Sequence, residues 1–281
     1  MQLTVDRGSD RLAILLHPAQ APDAPLAVVF PAMGVPAGYY TRFAHSLNEA
    51  GIGVAVADLR GTGASAPRPS RDSRYGYPEL ADDVDAVLDA LAEQRAGRRT
   101  VLLGHSLGGQ TAVLHLAREA ARGRGHRADG IILIAVGLPY WRTYPRLQRL
   151  AVLGMTQVVN GVSAALRVWP GWGFGGRQAR GVIRDWAYTA RHGRFPAHLA
   201  AEDGLAAIDL PVLAISVDDD QYTPPQTTDH LVAALPTATV TRDHLTTAEA
   251  GVPLDHFKWV KAGSTLAPRI SHWLTRLGHD R

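Results

Sequence analysis

Apolar residues follow two rhythms along this chain. Short, nearly unbroken apolar runs occupy residues 12–16, 26–30, 52–57, 100–103, 131–136 and 212–217. Runs of that length without polar alternation predict strands buried on both faces of a parallel sheet. Between them the period lengthens. Tyr40, Phe43, Ala44 and Leu47 recur at helical spacing before Gly51, and Leu80, Val84, Val87, Leu88 and Leu91 form a stripe after Pro78. Residues 107–121, rich in Ala and Leu, predict another helix. Strand and helix alternating in this order predict an α/β fold, a mostly parallel, doubly wound sheet with helices on both faces. A last short strand is expected at 239–241.

The alternation stops between Gly137 and Leu210. This stretch holds Trp141, Trp169, Trp172 and Trp186 of the chain's six tryptophans, a Gly-rich segment at 171–176, and apolar residues at 147–168 that favour helix. A structureless loop that long is uncommon in a compact domain. The expected organisation is therefore a core built from residues 1–136 and 211–281, with a helical cap (lid) inserted at 137–210. Tyr140, Trp141, Trp169, Trp172 and Trp186 are candidates to line a substrate pocket beneath the cap, or else to pack it against the body.

Composition narrows the picture. The 281 residues sit near the upper size for one hydrophobic core, and 46% hydrophobic with 20% charged residues matches an ordinary soluble protein. A formal charge of +3 with scattered arginines predicts no nucleic-acid partner. With no cysteine, disulfides, thiolate catalysis and cysteine metal sites are excluded. The first ten residues lack a basic segment followed by an apolar one, and no continuous apolar run reaches the roughly 18 residues of a membrane span. A cytoplasmic protein with no membrane span is expected, its partner a small-molecule substrate. The histidines are dispersed, so neither a metal site nor another cofactor is expected. Oligomeric state is not legible.

The chemistry centres on Gly104-His105-Ser106-Leu107-Gly108. A serine hydroxyl is a weak nucleophile at neutral pH and needs both exposure and a base within hydrogen-bond reach. Here a strand runs directly into a helix with Ser106 on the sharp turn between them, and the flanking glycines leave room for that backbone. The N–H of Leu107, the next residue, is placed to stabilise an oxyanion. His105 reads as a packing or orienting neighbour. Asp218, Asp219 and Asp220 follow the strand at 212–217, and any of them could orient a histidine. Downstream, His230, His244, His256, His272 and His279 are available as the base.

These features, with Asp58-Leu59-Arg60-Gly61-Thr62-Gly63-Ala64-Ser65, resemble the α/β-hydrolase superfamily in its serine-aminopeptidase/monoglyceride-lipase-like branch, over nearly the whole chain. The resemblance implies an α/β-hydrolase fold with nucleophile, acid and histidine in that chain order. Asp220-Gln221-Tyr222-Thr223-Pro224 is similar to the Asp-x-x-x-Pro of many relatives, which implies Asp220 as the acid. His256 lies in a loop entering the final helix, where this fold presents its catalytic histidine; His244, after the 239–241 strand, is its competitor. The loop after residue 30 corresponds to the relatives' His-Gly loop and implies the Met33 N–H as second oxyanion donor. The 58–65 segment implies a structural loop near the pocket floor.

A closer likeness is to a bacterial group of α/β-hydrolases of unassigned substrate. It is carried by Pro31-Ala32-Met33-Gly34-Val35-Pro36, Tyr39-Tyr40, Tyr140-Trp141-Arg142, Asp185-Trp186-Ala187 and the run of three aspartates. One departure is Asp255-His256-Phe257-Lys258, where relatives often carry Gly-His-Phe-Gly; the base is kept and the loop's backbone is what differs. The expected activity is serine hydrolysis of an ester or thioester of a largely apolar small molecule through an acyl-enzyme. The same parts serve amide or peptide cleavage, acyl transfer or cyclisation. Other chains of this fold have lost catalysis and only bind ligands.

Overall fold

A computed structural model describes residues 1–277. The chain opens with an antiparallel hairpin of β1 (Gln2–Arg7) and β2 (Asp10–His17). It continues through β3 (Leu26–Phe30), α1 (Thr41–Glu49), β4 (Gly53–Ala57), α2 (Tyr77–Ala90), the one-turn α3 (Ala92–Arg95), β5 (Thr100–His105), α4 (Leu107–Ala121) and β6 (Gly130–Ile134). After a long excursion come β9 (Pro211–Val217), α8 (Pro225–Val232), β10 (Thr239–Leu245), the short α9 (Thr247–Ala250) and α10 (Gly263–Arg276). The eight long strands form one sheet in the order β1-β2-β4-β3-β5-β6-β9-β10. It is parallel from β4 to β10, with β2 antiparallel to β4.

Each central strand serves two cores because successive side chains point to opposite faces. Leu26, Val28 and Phe30 of β3 join one core with Leu102, Leu133 and Leu114, while Ala27 and Val29 join the other with Val101, Ile132 and Phe43. Helices α2 and α4 cover the first face; α1 and α10 pack together on the second. This is the mostly parallel, doubly wound arrangement that the apolar runs predict.

Two strands escape the apolar pattern. β1 is only half-buried along one face, so its six residues form no apolar run. β10 is an exposed edge strand that continues to Leu245, which places His244 inside a strand rather than after one.

Between β6 and β9 the chain forms α5 (Arg149–Leu166), a two-stranded ribbon of β7 (Val168–Trp169) and β8 (Gln178–Ala179), then α6 (Arg180–His192) and the short α7 (Glu202–Ala206). α5 packs on α6, whereas α7 packs on α4 of the body. By length and composition α5 is apolar enough to cross a membrane, with mean hydropathy 1.2 over 18 residues. It does not read as a continuous run because Thr156, Gln157, Asn160 and Ser163 interrupt it.

Candidate active site

Ser106 follows β5 directly and precedes the first turn of α4, with φ 52° and ψ −120°. That is a costly conformation for a residue with a Cβ, and such strain persists only where the surroundings impose it. Here they do. A Cβ at Gly104 would collide with the backbone of Gly109, and one at Gly108 with the carbonyl of Phe30. Strand, turn, helix and the neighbouring β3 are thus pressed together at positions only glycine can fill. The serine backbone is fixed, and Ser106 lines a cavity of about 490 Å³.

His256 lines the same cavity while lying almost wholly buried. Its Nδ1 sits 3.0 and 2.9 Å from the two carboxylate oxygens of Asp220. Asp220 is itself held on three sides: Oδ1 accepts the N–H groups of Tyr222 (2.9 Å) and Thr223 (2.7 Å), and Oδ2 accepts the Thr223 hydroxyl (2.7 Å). A carboxylate so anchored orients the imidazole, leaving Nε2 for proton transfer. Among the described residues no hydrogen bond joins the Ser106 hydroxyl to His256, although both line the same cavity.

The other two aspartates do different work. Asp218 accepts the Thr247 N–H at 2.7 Å and pairs with His244 Nε2 at 3.0 Å, and these contacts hold its carboxyl below the usual range. Asp219 is exposed, with a left-handed backbone (φ 57°) that turns the chain toward Asp220. His244 Nδ1 faces the hydroxyl of Ser216, and the ring lies on β10 away from the cavity lining. His230 pairs with the Gly193 carbonyl at 2.6 Å and His272 is exposed on α10; His279 lies outside the described residues.

The two N–H groups expected to receive an oxyanion lie on two loops. Leu107 is the first residue of α4, so its N–H belongs to the unpaired first turn. On the opposite side, the Ala32 N–H is taken by the Tyr40 hydroxyl at 2.9 Å, leaving Met33 as the adjacent residue whose N–H has no partner among those described. The same hydroxyl meets His105 Nδ1 at 2.7 Å. Burial, reinforced by the neighbouring His256, holds His105 well below its usual range, so it stays neutral and accepts the Tyr40 proton. Tyr39 donates to the Phe257 carbonyl at 2.9 Å. The Tyr39-Tyr40 pair therefore ties the loop of His256 with one hydroxyl and the loop after β3 with the other. Sequence reasoning noted that pair without assigning it a role.

The departure at the histidine loop has a physical counterpart. Asp255 Oδ1 accepts the N–H groups of Phe257 (2.8 Å) and Lys258 (2.7 Å), and its other oxygen meets Lys258 Nζ at 2.6 Å. Side chains close the turn that glycines would shape. The 58–65 segment acts as a structural clamp and does not line the cavity: Asp58 accepts the N–H groups of Ala37 (2.6 Å) and Ala64 (2.7 Å).

Of the aromatic residues expected at the pocket, Trp186 lines the cavity and the other four do not. Tyr140 stacks on His230, and Trp141 lies against the Arg142 guanidinium. Trp169 is buried and donates to the Phe174 carbonyl at 2.8 Å, and Trp172 is 66% exposed. The cavity wall is instead made by Val152, Met155, Phe174, Tyr222 and Trp186 around Gln110 and Tyr144. Phe174 bridges Trp186 (4.9 Å between centroids) and Tyr222 (6.0 Å), and Tyr222 leans on His256 at 5.1 Å. The wall residues come from four separate segments, and no local spacing in the sequence marks them.

The sequence profile of a hydrolase family described as serine aminopeptidase, S33, matches residues 22–248, most of the chain and every element from β3 to β10. The chain belongs to that family. It has the α/β-hydrolase fold, and this S33 relative resembles other members of known structure across its length. A soluble variant of monoglyceride lipase from Saccharomyces cerevisiae, solved with a substrate analog, superposes with a TM-score of 0.71 at 14% identity, over 98% of this chain and 94% of that one. In sequence it is 27% identical over 202 residues to a non-heme haloperoxidase of Rhodococcus erythropolis, covering 63% of this chain and 68% of the relative. It is also 32% identical over 124 residues to the polyketide synthase GfsE of Streptomyces halstedii; the match takes in 43% of this chain but only 3% of that much longer protein.

Proposed function

We propose that this chain is a serine hydrolase that cleaves a carboxylic ester or thioester of a largely apolar small molecule through an acyl-enzyme on Ser106. The observation that carries this reading is the buried Asp220–His256 pair on the wall of the cavity that also holds Ser106. His256 Nε2 takes the Ser106 proton as Oγ attacks the carbonyl carbon. The oxyanion is received by the N–H groups of Met33 and Leu107, each such donor being worth about 3–4 kcal/mol of barrier. His256 then gives the proton to the departing alkoxide or thiolate. Water, deprotonated by His256, attacks the acyl-enzyme and returns Ser106 to its starting state.

The acyl or alcohol part lies against Val152, Met155, Phe174 and Trp186, which favours an apolar substrate. A fluorophosphonate probe tests the core of the reading: it should label the wild-type chain and leave Ser106→Ala unlabelled. A series of p-nitrophenyl esters of rising chain length, beside thioesters and aminoacyl anilides, tests the substrate class. Turnover of anilides alone would replace the esterase with an amidase or peptidase. Absence of labelling in folded wild type would leave a ligand-binding protein.

A further inference from the structure

The cap helix α5 is turned inside out. Its exposed residues are Leu150, Ala151, Gly154, Met155, Val158, Gly161, Ala164 and Ala165, every one of them apolar or glycine. They recur at the spacing of one helical face. Of its buried residues, Thr156, Val159 and Ser163, two are polar. Leu147, just before the helix, is 98% exposed, Leu150 73% and Val158 65%. An ordinary surface helix presents the opposite pattern, and a contiguous apolar face of this kind marks an interaction site.

Charge says what would cover it. Residues 137–184 contain seven arginines (Arg142, Arg146, Arg149, Arg167, Arg177, Arg180 and Arg184) and no Asp or Glu. Outside that segment the chain has 22 basic against 26 acidic side chains, so the positive excess belongs to the cap. Arg184 pairs with buried Asp185 and Arg167 approaches Asp72; the other five have no acidic partner among the described residues. Arg146 and Arg149 interleave with Leu147 and Leu150 at the start of the helix, and Arg167 follows its end. A second copy of this chain would bring arginines against arginines. A surface that is apolar and negatively charged suits both features at once.

We propose that the exposed face of α5 docks on an anionic lipid bilayer, with the helix lying in the headgroup boundary. An apolar face flanked by basic side chains is the pattern of an interfacial helix, and anionic headgroups attract each nearby arginine. The helix lies on the surface and does not cross it, because its inner side is packed on α6 and both ends return to the body. Ala151 and Met155 are at once exposed on this face and part of the wall of the Ser106 cavity. A lipid-dissolved molecule leaving the bilayer there is already at the cavity mouth.

Docking does not depend on Ser106 chemistry, so flotation with Ser106→Ala separates this proposal from the catalytic one. Both wild type and Ser106→Ala should float with vesicles of phosphatidylcholine plus phosphatidylglycerol, sink with phosphatidylcholine alone, and be released by high salt. The double variant Leu150→Asp, Val158→Asp touches neither the cavity nor the triad and should keep wild-type turnover of a short soluble ester. Its partition to anionic vesicles should fall at least about tenfold, as should that of Arg142→Glu, Arg146→Glu. Wild type that fails to float overturns the proposal, as does flotation unchanged by the aspartates. A wild-type dimer in gel filtration that the aspartates dissolve would assign the face to a second copy and overturn it equally.

Discussion

Helices α4 and α5 are both apolar, both long, and both border the Ser106 cavity, yet they live in different surroundings. Twelve of the 15 residues of α4 are buried, against three of the 18 in α5. In α4 that burial holds the turn that strains Ser106, so the helix frames the proposed nucleophile. In α5 every exposed residue is apolar or glycine, while Thr156 and Ser163 are two of the three buried ones and Gln157 bonds to the Ala187 carbonyl at 3.2 Å. Apolar composition therefore carries two meanings: cohesion of the fold in one helix, and in the other the affinity for something outside it that we propose.

The comparison can be broken at several points. The largest effect is expected at the head of α4, where Ser106→Ala should lower ester turnover by about 10⁴-fold or more with the melting temperature kept, read by steady-state kinetics and calorimetry. If turnover survives, α4 does not carry the nucleophile. Next is a matched pair of truncations followed by urea unfolding. Leu114→Ala in α4 removes a fully buried side chain and should cost about 2–5 kcal/mol, whereas Val158→Ala in α5 should stay within about 0.5 kcal/mol. Equal losses would mean that α5 is cohesive after all.

A third test asks how far the rigidity around α4 reaches into the site. Tyr40→Phe removes the hydroxyl shared by the Ala32 N–H and His105, leaving two buried groups unpaired at about 1–3 kcal/mol each. kcat should fall roughly tenfold with KM little changed, since Met33's position matters most when the oxyanion forms. A rise in KM alone would place Tyr40 in substrate binding instead.

The smallest effect lies far from the cavity. Glu249 caps α9 by accepting from the Thr246 N–H (2.9 Å) and hydroxyl (2.7 Å), which together with Arg269 bring its carboxyl down to about 2. A depressed acid stabilises the fold above its ordinary value of 4.5 and loses that contribution as pH falls toward 2. Glu249→Gln should lower the melting temperature slightly at neutral pH, and the gap should close through that acidic window. A gap constant with pH would detach Glu249 from the cap.

The central sheet was legible because strands covered on both faces, such as β3 and β5, must be continuous apolar runs. The turn that carries Ser106 was legible for the same reason, standing between an unbroken apolar run and a helical one. β1 was not, and of β10 only residues 239–241 were, since edge strands exposed along one side need no such run; His244, expected just after that strand, lies within it. Asp220 and His256 stand in the expected order, but their meeting across 36 positions is a product of the fold. The cap resisted most. Aromatic composition marks a residue as sticky without saying which way it points, so Trp172 and Trp186 looked alike although one is exposed and the other faces the cavity. The inversion of α5 is the same problem over a whole helix: periodicity reveals that two faces exist, not which one meets the body.

Gly34, two residues past the Ala32–Tyr40 bond, has φ 74°, and any side chain there would strike the carbonyl of Gly175 in the cap's Gly-rich segment. Gly175 in turn sits against the Met33 side chain. The roof of the cavity and the amide that would receive the oxyanion are thus in van der Waals register. If the roof swings away to admit a substrate, that amide loses the neighbour that braces it. A substitution at Gly34 or Gly175 would therefore reach Met33 through these contacts alone, without touching Ser106, Asp220 or His256.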